Sequence, residues 1–224
     1  MRGSTNKKGQ IRKLKVGTFN FLIWPSLFLL FMRCSVILLF LCLCFSLSLF
    51  SQGIELFNPS FEDTPQDAIM PQGWTGCKEG TTPDILPGFW GVYTPPSDGQ
   101  TYVGLITRLN SSWESIGQRL PAPLMKGTCY DWYIDLSHSD TYSGYNGPIK
   151  LRVWIAKLKC QKDQLIYESP LIDHLDWKTF RIKFTPNDEY RYILLEAYYS
   201  DPPFEYQGNI LIDYLREIRV CDRT

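Results

Sequence analysis

Acidic residues are absent from the N-terminal part of the chain. Residues 1–52 contain no Asp or Glu but seven Lys and Arg, so residues 53–224 hold 16 basic residues against all 23 acidic ones. This body carries a net charge of −7, which the zero of the whole chain conceals. An acidic body argues against nucleic-acid binding, since contacts with a phosphate backbone need clustered Lys and Arg.

Motifs for catalysis and for zinc are also scarce. The body holds two histidines, His138 and His174, and no Cys-x-x-Cys pair, so a zinc site is not expected. It has no Ser-centred nucleophile elbow and no Gly-rich phosphate loop. We therefore expect a chain that is not an enzyme. Its many carboxylates leave a small glycan-active enzyme as the weakest alternative, because glycosidases use pairs of carboxylates.

Sustained helical spacing is missing, and short runs of alternating apolar and polar residues stand in its place. The run at 191–199 is apolar on both faces apart from Glu196, which predicts a central strand. Many short strands between turn clusters predict an all-β fold, a two-sheet antiparallel β-sandwich or jelly roll. The predicted strands are 56–62, 101–107, 113–120, 129–138, 149–158, 165–168, 177–184, 191–199 and 210–220.

Residues 1–52 form a hydrophobic targeting segment ahead of a single domain at 53–224. The stretch 18–50 is almost wholly apolar, long enough to span a bilayer. A signal-peptide pattern starts afresh at Met32, with Arg33 as its basic end and a cut near Ser51 or Gln52. An uncleaved signal anchor is the alternative. Either form exports the body, so we expect a secreted, periplasmic or cell-surface protein with membrane contact only through an uncleaved N-terminal segment.

Four cysteines remain in the body: Cys77, Cys129, Cys160 and Cys221. An even number in an exported domain predicts disulfides, with buried free thiols as the alternative. Four cysteines allow three pairings, and the sequence does not choose among them.

Six short motifs, in order, resemble the galactose-binding-like jelly rolls, including carbohydrate-binding modules of the family 4/9 type. The motifs are NPSFE at 58–62, PQGW at 71–74, DGQTYVGL at 98–105, IGQRL at 116–120, LMKGTCY at 124–130 and ILID at 210–213. The resemblance covers nearly all of 54–221 and implies that NPSFE forms the first strand. The stretch 82–88, with DGQTYVGL, resembles a subgroup of secreted bacterial surface proteins.

The same resemblance implies a structural Ca²⁺ where the first and last strands meet. Its ligands would be Glu62 and Asp213, with Asp63 as a further candidate, because hard cations take oxygen ligands. The alternative is that Glu62 caps a turn and Asp213 accepts backbone hydrogen bonds.

Outward-facing aromatic and polar side chains predict a sugar-binding face, since flat rings stack on sugars and polar groups orient them. Asp131, Tyr133 and Asp135 lie on one predicted strand and Arg152 and Trp154 on the next, and a loop with Tyr142 and Tyr145 could flank them. The alternative is that Tyr133 and Trp154 pack under a covering loop.

These features together predict an exported, non-catalytic binding module for glycans or a cell-surface polysaccharide. The alternative is a structural or adhesion domain that makes protein contacts in an envelope or extracellular assembly.

Overall fold

The structure, a computed structural model, describes residues 53–199 and 206–222. The predicted targeting segment lies outside the described residues. Within the part of the chain that is described, no helix is long and apolar enough to cross a membrane.

The described residues form β-strands joined by turns and loops, as the alternating pattern predicts. In chain order the strands are β1 (Thr75–Gly76), β2 (Asp84–Leu86), β3 (Tyr102–Thr107), β4 (Ser115–Leu124), β5 (Tyr130–Ser137), β6 (Gly147–Pro148), β7 (Lys150–Ala156), β8 (Gln164–Glu168), β9 (Lys178–Phe184), β10 (Tyr190–Tyr198), β11 (Gly208–Asp213) and β12 (Arg219–Val220).

Two sheets make up the domain. One has five strands in the order β1-β4-β10-β7-β8, and the predicted central strand, β10, is in its middle. The other has seven strands and follows the path β12-β5-β11-β3-β2, with β9 paired to β5 and β6 paired to β11. Pairing is antiparallel except between β6 and β11. The prediction of an all-β, two-sheet sandwich is confirmed at this level.

The main core lies between the sheets and is built from alternate residues of each strand. Each fully buried aliphatic or aromatic side chain contributes roughly 1.5–3 kcal/mol relative to an exposed position. The inward set includes Trp132, Ile134 and Leu136 of β5, Leu151, Val153 and Ile155 of β7, and Ile193, Leu195 and Ala197 of β10. The residues between them therefore lie on the outer faces of the two sheets.

Two strand predictions are wrong in part. Residues 56–62 form a turn and no strand, because Asn58 and Phe61 have φ angles of 48° and 52° and Pro59 has no N–H to donate. The Asn58 side chain closes this turn by accepting the Glu62 N–H at 2.7 Å. The predicted strand 210–220 is split into β11 and β12, because Tyr214 has a φ of 46° and the chain leaves the sheet there.

Two disulfides confirm the prediction for the body cysteines and fix the pairing as Cys77–Cys160 and Cys129–Cys221. Disulfides form and persist in oxidising compartments, so the pairs fit an exported protein.

Candidate functional site

The predicted ligand residues do not share one face. Strand β5, with Asp131, Tyr133 and Asp135, belongs to the seven-stranded sheet, whereas β7, with Arg152 and Trp154, belongs to the five-stranded sheet. The prediction that these strands are neighbours is wrong, and the two sets lie on opposite outer sides of the sandwich. Alternation identifies outward side chains but does not say which sheet a strand joins.

On the β5 side, two of the three residues are engaged within the protein. The Asp131 carboxylate accepts two hydrogen bonds from Arg181, both at 2.7 Å, and this pairing lowers the pKa of Asp131. Asp135 is buried and accepts hydrogen bonds from the hydroxyls of Ser97 and Thr179, each at 2.6 Å. These contacts tie the loop and β9 to β5, so Asp135 has a structural role.

Tyr133 lines a groove of about 650 Å³ at the edge of the same face. The guanidinium of Arg216 lies 4.6 Å from the Tyr214 ring centroid and 5.9 Å from that of Tyr133. The backbone N–H of Arg216 also donates to the backbone carbonyl of Tyr133 at 2.9 Å. The loop after β11 thus fills part of the space over Tyr133.

Tyr142 and Tyr145 belong to a second, smaller hydrophobic cluster that covers another part of the seven-stranded sheet. Tyr142 is 1% exposed and donates its hydroxyl proton to Asp84, and Tyr145 packs against its ring edge-on at 6.2 Å. Burial raises the pKa of Asp84. Tyr142 therefore packs under its own loop, which contradicts its predicted place on an open sugar-binding face. Tyr145 is half-buried in the same cluster.

On the outer face of the five-stranded sheet, around β7, aromatic rings lie next to charged side chains. Arg152 stacks on the Tyr198 ring, with its guanidinium carbon 3.2 Å from the ring centroid, and donates to Glu168 at 2.8 Å. Trp154 is half-buried next to Leu194, its partner in register on β10. We call this surface the cationic face and define it by Lys78, Trp113, Ser115, Lys150, Arg152, Trp154, Lys162, Glu168, Glu196 and Tyr198.

Several of its residues were not singled out from the sequence. Glu196 is 1% exposed and pairs with Lys162, which reaches it from the loop after β7. Lys78 lies over the Trp113 ring, 3.6 Å from its centroid. A lone carboxylate in the apolar run 191–199 is the one sequence signal for this cluster, because an unpaired charge on a buried strand is costly. Lys78 and Lys162 are distant in sequence from Glu196, so no pattern joins them.

Three hydrogen-bonding groups on the cationic face have no partner. They are the indole Nε1 of Trp113, the hydroxyl of Ser115 and the indole Nε1 of Trp154. In the described part of the chain only one other buried side-chain polar atom, the Nε2 of His174, is also unpartnered. All three atoms are themselves buried, so they are unsatisfied groups beneath this face and not contacts that a ligand on the surface could reach.

The predicted calcium ligands are occupied by N–H donors. One Glu62 oxygen accepts the N–H groups of Gln100 at 2.8 Å and Thr101 at 3.2 Å. Asp213 accepts the N–H groups of Ser97, Asp98 and Tyr214 at 2.7–2.9 Å. Within 53–199 and 206–222, no group of three or more Asp, Glu, His and Cys residues could hold a metal. These residues do not fit a Ca²⁺ ion, and calcium binding stays an untested prediction.

Known structures share the fold at low sequence identity. A cyclase from Fischerella sp. TAU is 15% identical, with a TM-score of 0.56, and the match covers 78% of this chain and 100% of that chain. An arabinose-bound α-L-arabinofuranosidase is 9% identical, with a TM-score of 0.50 and coverage of 75% and 26%. The CBM22-1 xylan-binding domain from Paenibacillus barcinonensis is 17% identical, with a TM-score of 0.47 and coverage of 77% and 97%.

No protein-family model matches the chain, and no curated protein matches its sequence. Carbohydrate-binding modules are thus among the structures similar to this chain, while the cyclase and the arabinofuranosidase are enzymes by name. At such identities the likeness shows the fold alone. The chain shares its fold with the cyclase, which it matches over that protein's whole length.

Proposed function

We propose that the protein is an exported, non-catalytic binding module that holds a glycan on its cationic face. The observation that carries the proposal is the layer of aromatic rings and charged side chains on this face, where Arg152 lies against the Tyr198 ring and Lys78 against the Trp113 ring. Sugar hydroxyls donate and accept hydrogen bonds, and sugar C–H faces stack on aromatic rings. The cationic face offers both kinds of contact.

The proposal extends to the finer family, a galactose-binding-like jelly roll of the family 4/9 type. Support comes from the ordered motifs and from the β-bridge between Ile54 and Ile218, which joins the first and last parts of the domain. The turn at 58–62, in place of the implied first strand, is a departure from that pattern.

The proposal is tested by affinity electrophoresis of the full-length protein through gels that contain xylan, a mixed-linkage β-glucan or polygalacturonate. We expect at least one polysaccharide to retard the protein, and we expect Trp154→Ala to weaken that binding about tenfold, equivalent to about 1.4 kcal/mol. Trp154→Phe keeps an aromatic ring at this position, so a smaller loss than that of Trp154→Ala would identify ring stacking as the contact.

Trp90→Ala is the matched control, because Trp90 is 43% exposed on a loop away from this face. It should bind as the unaltered protein does. Equal losses in both Trp variants would count against the cationic face. No retardation by any glycan, with a stable co-purifying protein, would favour the adhesion alternative, and turnover of a polysaccharide would favour the glycan-active enzyme.

A further inference from the structure

Cations outnumber carboxylates on the cationic face. Glu168 binds two of them, Lys150 at 3.0 Å and Arg152 at 2.8 Å. One carboxylate therefore forms the ion pairs of both Lys150 and Arg152, which leaves one positive charge in excess.

The same imbalance recurs at Glu196, deeper in the face. Its ion-pair partner is Lys162, whose ammonium also lies 5.8 Å from the Trp154 ring centroid. Lys78 is close enough that burial and the positive charge of Lys162 lower its pKa, while the charge of Glu196 acts to raise it. Among the described residues Lys78 forms no salt bridge, and its one close aromatic contact is Trp113.

Four cations and two carboxylates leave the face with a formal charge of +2 in a body whose net charge is −7. A surface with a local excess of positive charge binds a ligand of negative charge most favourably.

We infer that the glycan bound by the cationic face is anionic, with a carboxylate or sulfate that pairs with the ammonium groups of Lys78 and Lys162. This inference rests on the proposed function and narrows its ligand class. Lys78 is the key residue, since its charge is not already used by an internal carboxylate. Trp154 supplies the ring against which the sugar stacks.

The test compares polygalacturonate with its fully methyl-esterified form, which keeps the sugar backbone and loses the charge. We expect the full-length protein to bind the acid at least tenfold more tightly than the ester, and binding should weaken as NaCl rises from 50 to 500 mM, a range chosen to shorten the screening length about threefold. Dextran sulfate, against uncharged dextran, distinguishes a sulfate from a carboxylate as the recognised anion.

Lys78→Gln is the informative variant, because it removes the free charge without leaving Glu196 unpaired. It should lower affinity for the acid about tenfold and leave affinity for the ester unchanged. Lys183→Gln, an exposed lysine of β9 in the other sheet, is the matched control and should change neither.

Equal affinity for acid and ester, with no effect of Lys78→Gln, would overturn the anionic inference and leave glycan binding standing. Loss of all glycan binding would overturn both. Melting curves of each variant show whether a loss of affinity comes from a loss of folded protein.

Discussion

Asp213 is a buried carboxylate whose protonation links the stability of the domain to pH. It is fully buried at the end of β11, and its oxygens accept N–H groups from Ser97 and Asp98 of the long loop and from Tyr214. Burial raises its pKa from the ordinary 3.8 to about 7, although the N–H donors act in the opposite direction. The Asp213 carboxyl group thus anchors the loop at 97–98, and it titrates near neutral pH.

This pKa predicts the direction in which stability changes with pH. A carboxyl whose pKa is higher in the folded than in the unfolded state binds its proton more tightly when folded. The contribution of Asp213 to the free energy of unfolding is therefore highest below about pH 4. It falls by at most about 4 kcal/mol as the pH rises to about 7, and it stays level above that pH.

Asp213→Asn removes the titrating group, so its unfolding free energy should depend less on pH between 4 and 7 than that of the unaltered protein. Urea denaturation at a series of pH values measures both profiles. Asp140→Asn, which removes an exposed carboxylate, is the control for the loss of one negative charge. Identical slopes for Asp213→Asn and the unaltered protein would show that Asp213 titrates alike in both states.

At the scale of strands, alternation predicts most of the fold. The central place of β10 follows from its two apolar faces, and the inward and outward sets of β5 and β7 follow from their period of two. The pattern fails at 58–62, where a left-handed Asn58 and a Pro make a turn inside a run that looks apolar enough for a strand. Local backbone conformation is not visible in a hydropathy pattern.

The candidate site could be predicted only in part, for a related reason. Arg152 and Trp154 face outward as expected, but whether β5 lies beside β7 depends on pairing between distant strands. The loops add residues that no local pattern reveals. Lys78 and Lys162 reach the cationic face because each lies within two positions of a cysteine of the Cys77–Cys160 disulfide.

The disulfides offer a test at this scale. The variant pair Cys77→Ser with Cys160→Ser frees the two segments that present Lys78 and Lys162, so we expect a loss of about 2–5 kcal/mol in stability and weaker glycan binding. The pair Cys129→Ser with Cys221→Ser removes a disulfide that spans a similar sequence separation, 92 against 83 residues, but lies on the other sheet.

The second pair should lose similar stability and keep its glycan affinity under conditions where both variants are folded. Denaturation curves and affinity electrophoresis measure the two properties separately. If both variant pairs lost affinity alike, the Cys77–Cys160 bridge would have no special part in shaping the cationic face.

For the molecule as a whole, the outer faces of the two sheets differ in the kind of side chain that covers them. The seven-stranded sheet carries a second hydrophobic cluster that includes Leu86, Tyr102 and Tyr142, whereas the five-stranded sheet carries charges and unpartnered polar atoms. The first arrangement stabilises the fold by burying apolar area. The second places charged side chains and aromatic rings over the sheet, which is in keeping with the binding role proposed for it.

The segments at 54–59 and 215–218 are joined by protein hydrogen bonds, and this predicts how the domain responds to calcium. Besides the bridge between Ile54 and Ile218, the Leu215 N–H donates to the Pro59 carbonyl at 3.0 Å. N–H donors point at the Glu62 and Asp213 oxygens, and their partial positive charge would repel a cation.

We therefore expect the same melting temperature in EDTA and in millimolar CaCl₂, as measured by calorimetry. A ligand that binds only the native state must raise that temperature, so a saturable increase with calcium would contradict the geometry and restore the metal site. Glu62→Gln separates the cases: it keeps an oxygen acceptor for the Gln100 N–H and so should change stability little, but it would abolish any increase that depends on a Glu62 carboxylate bound to calcium.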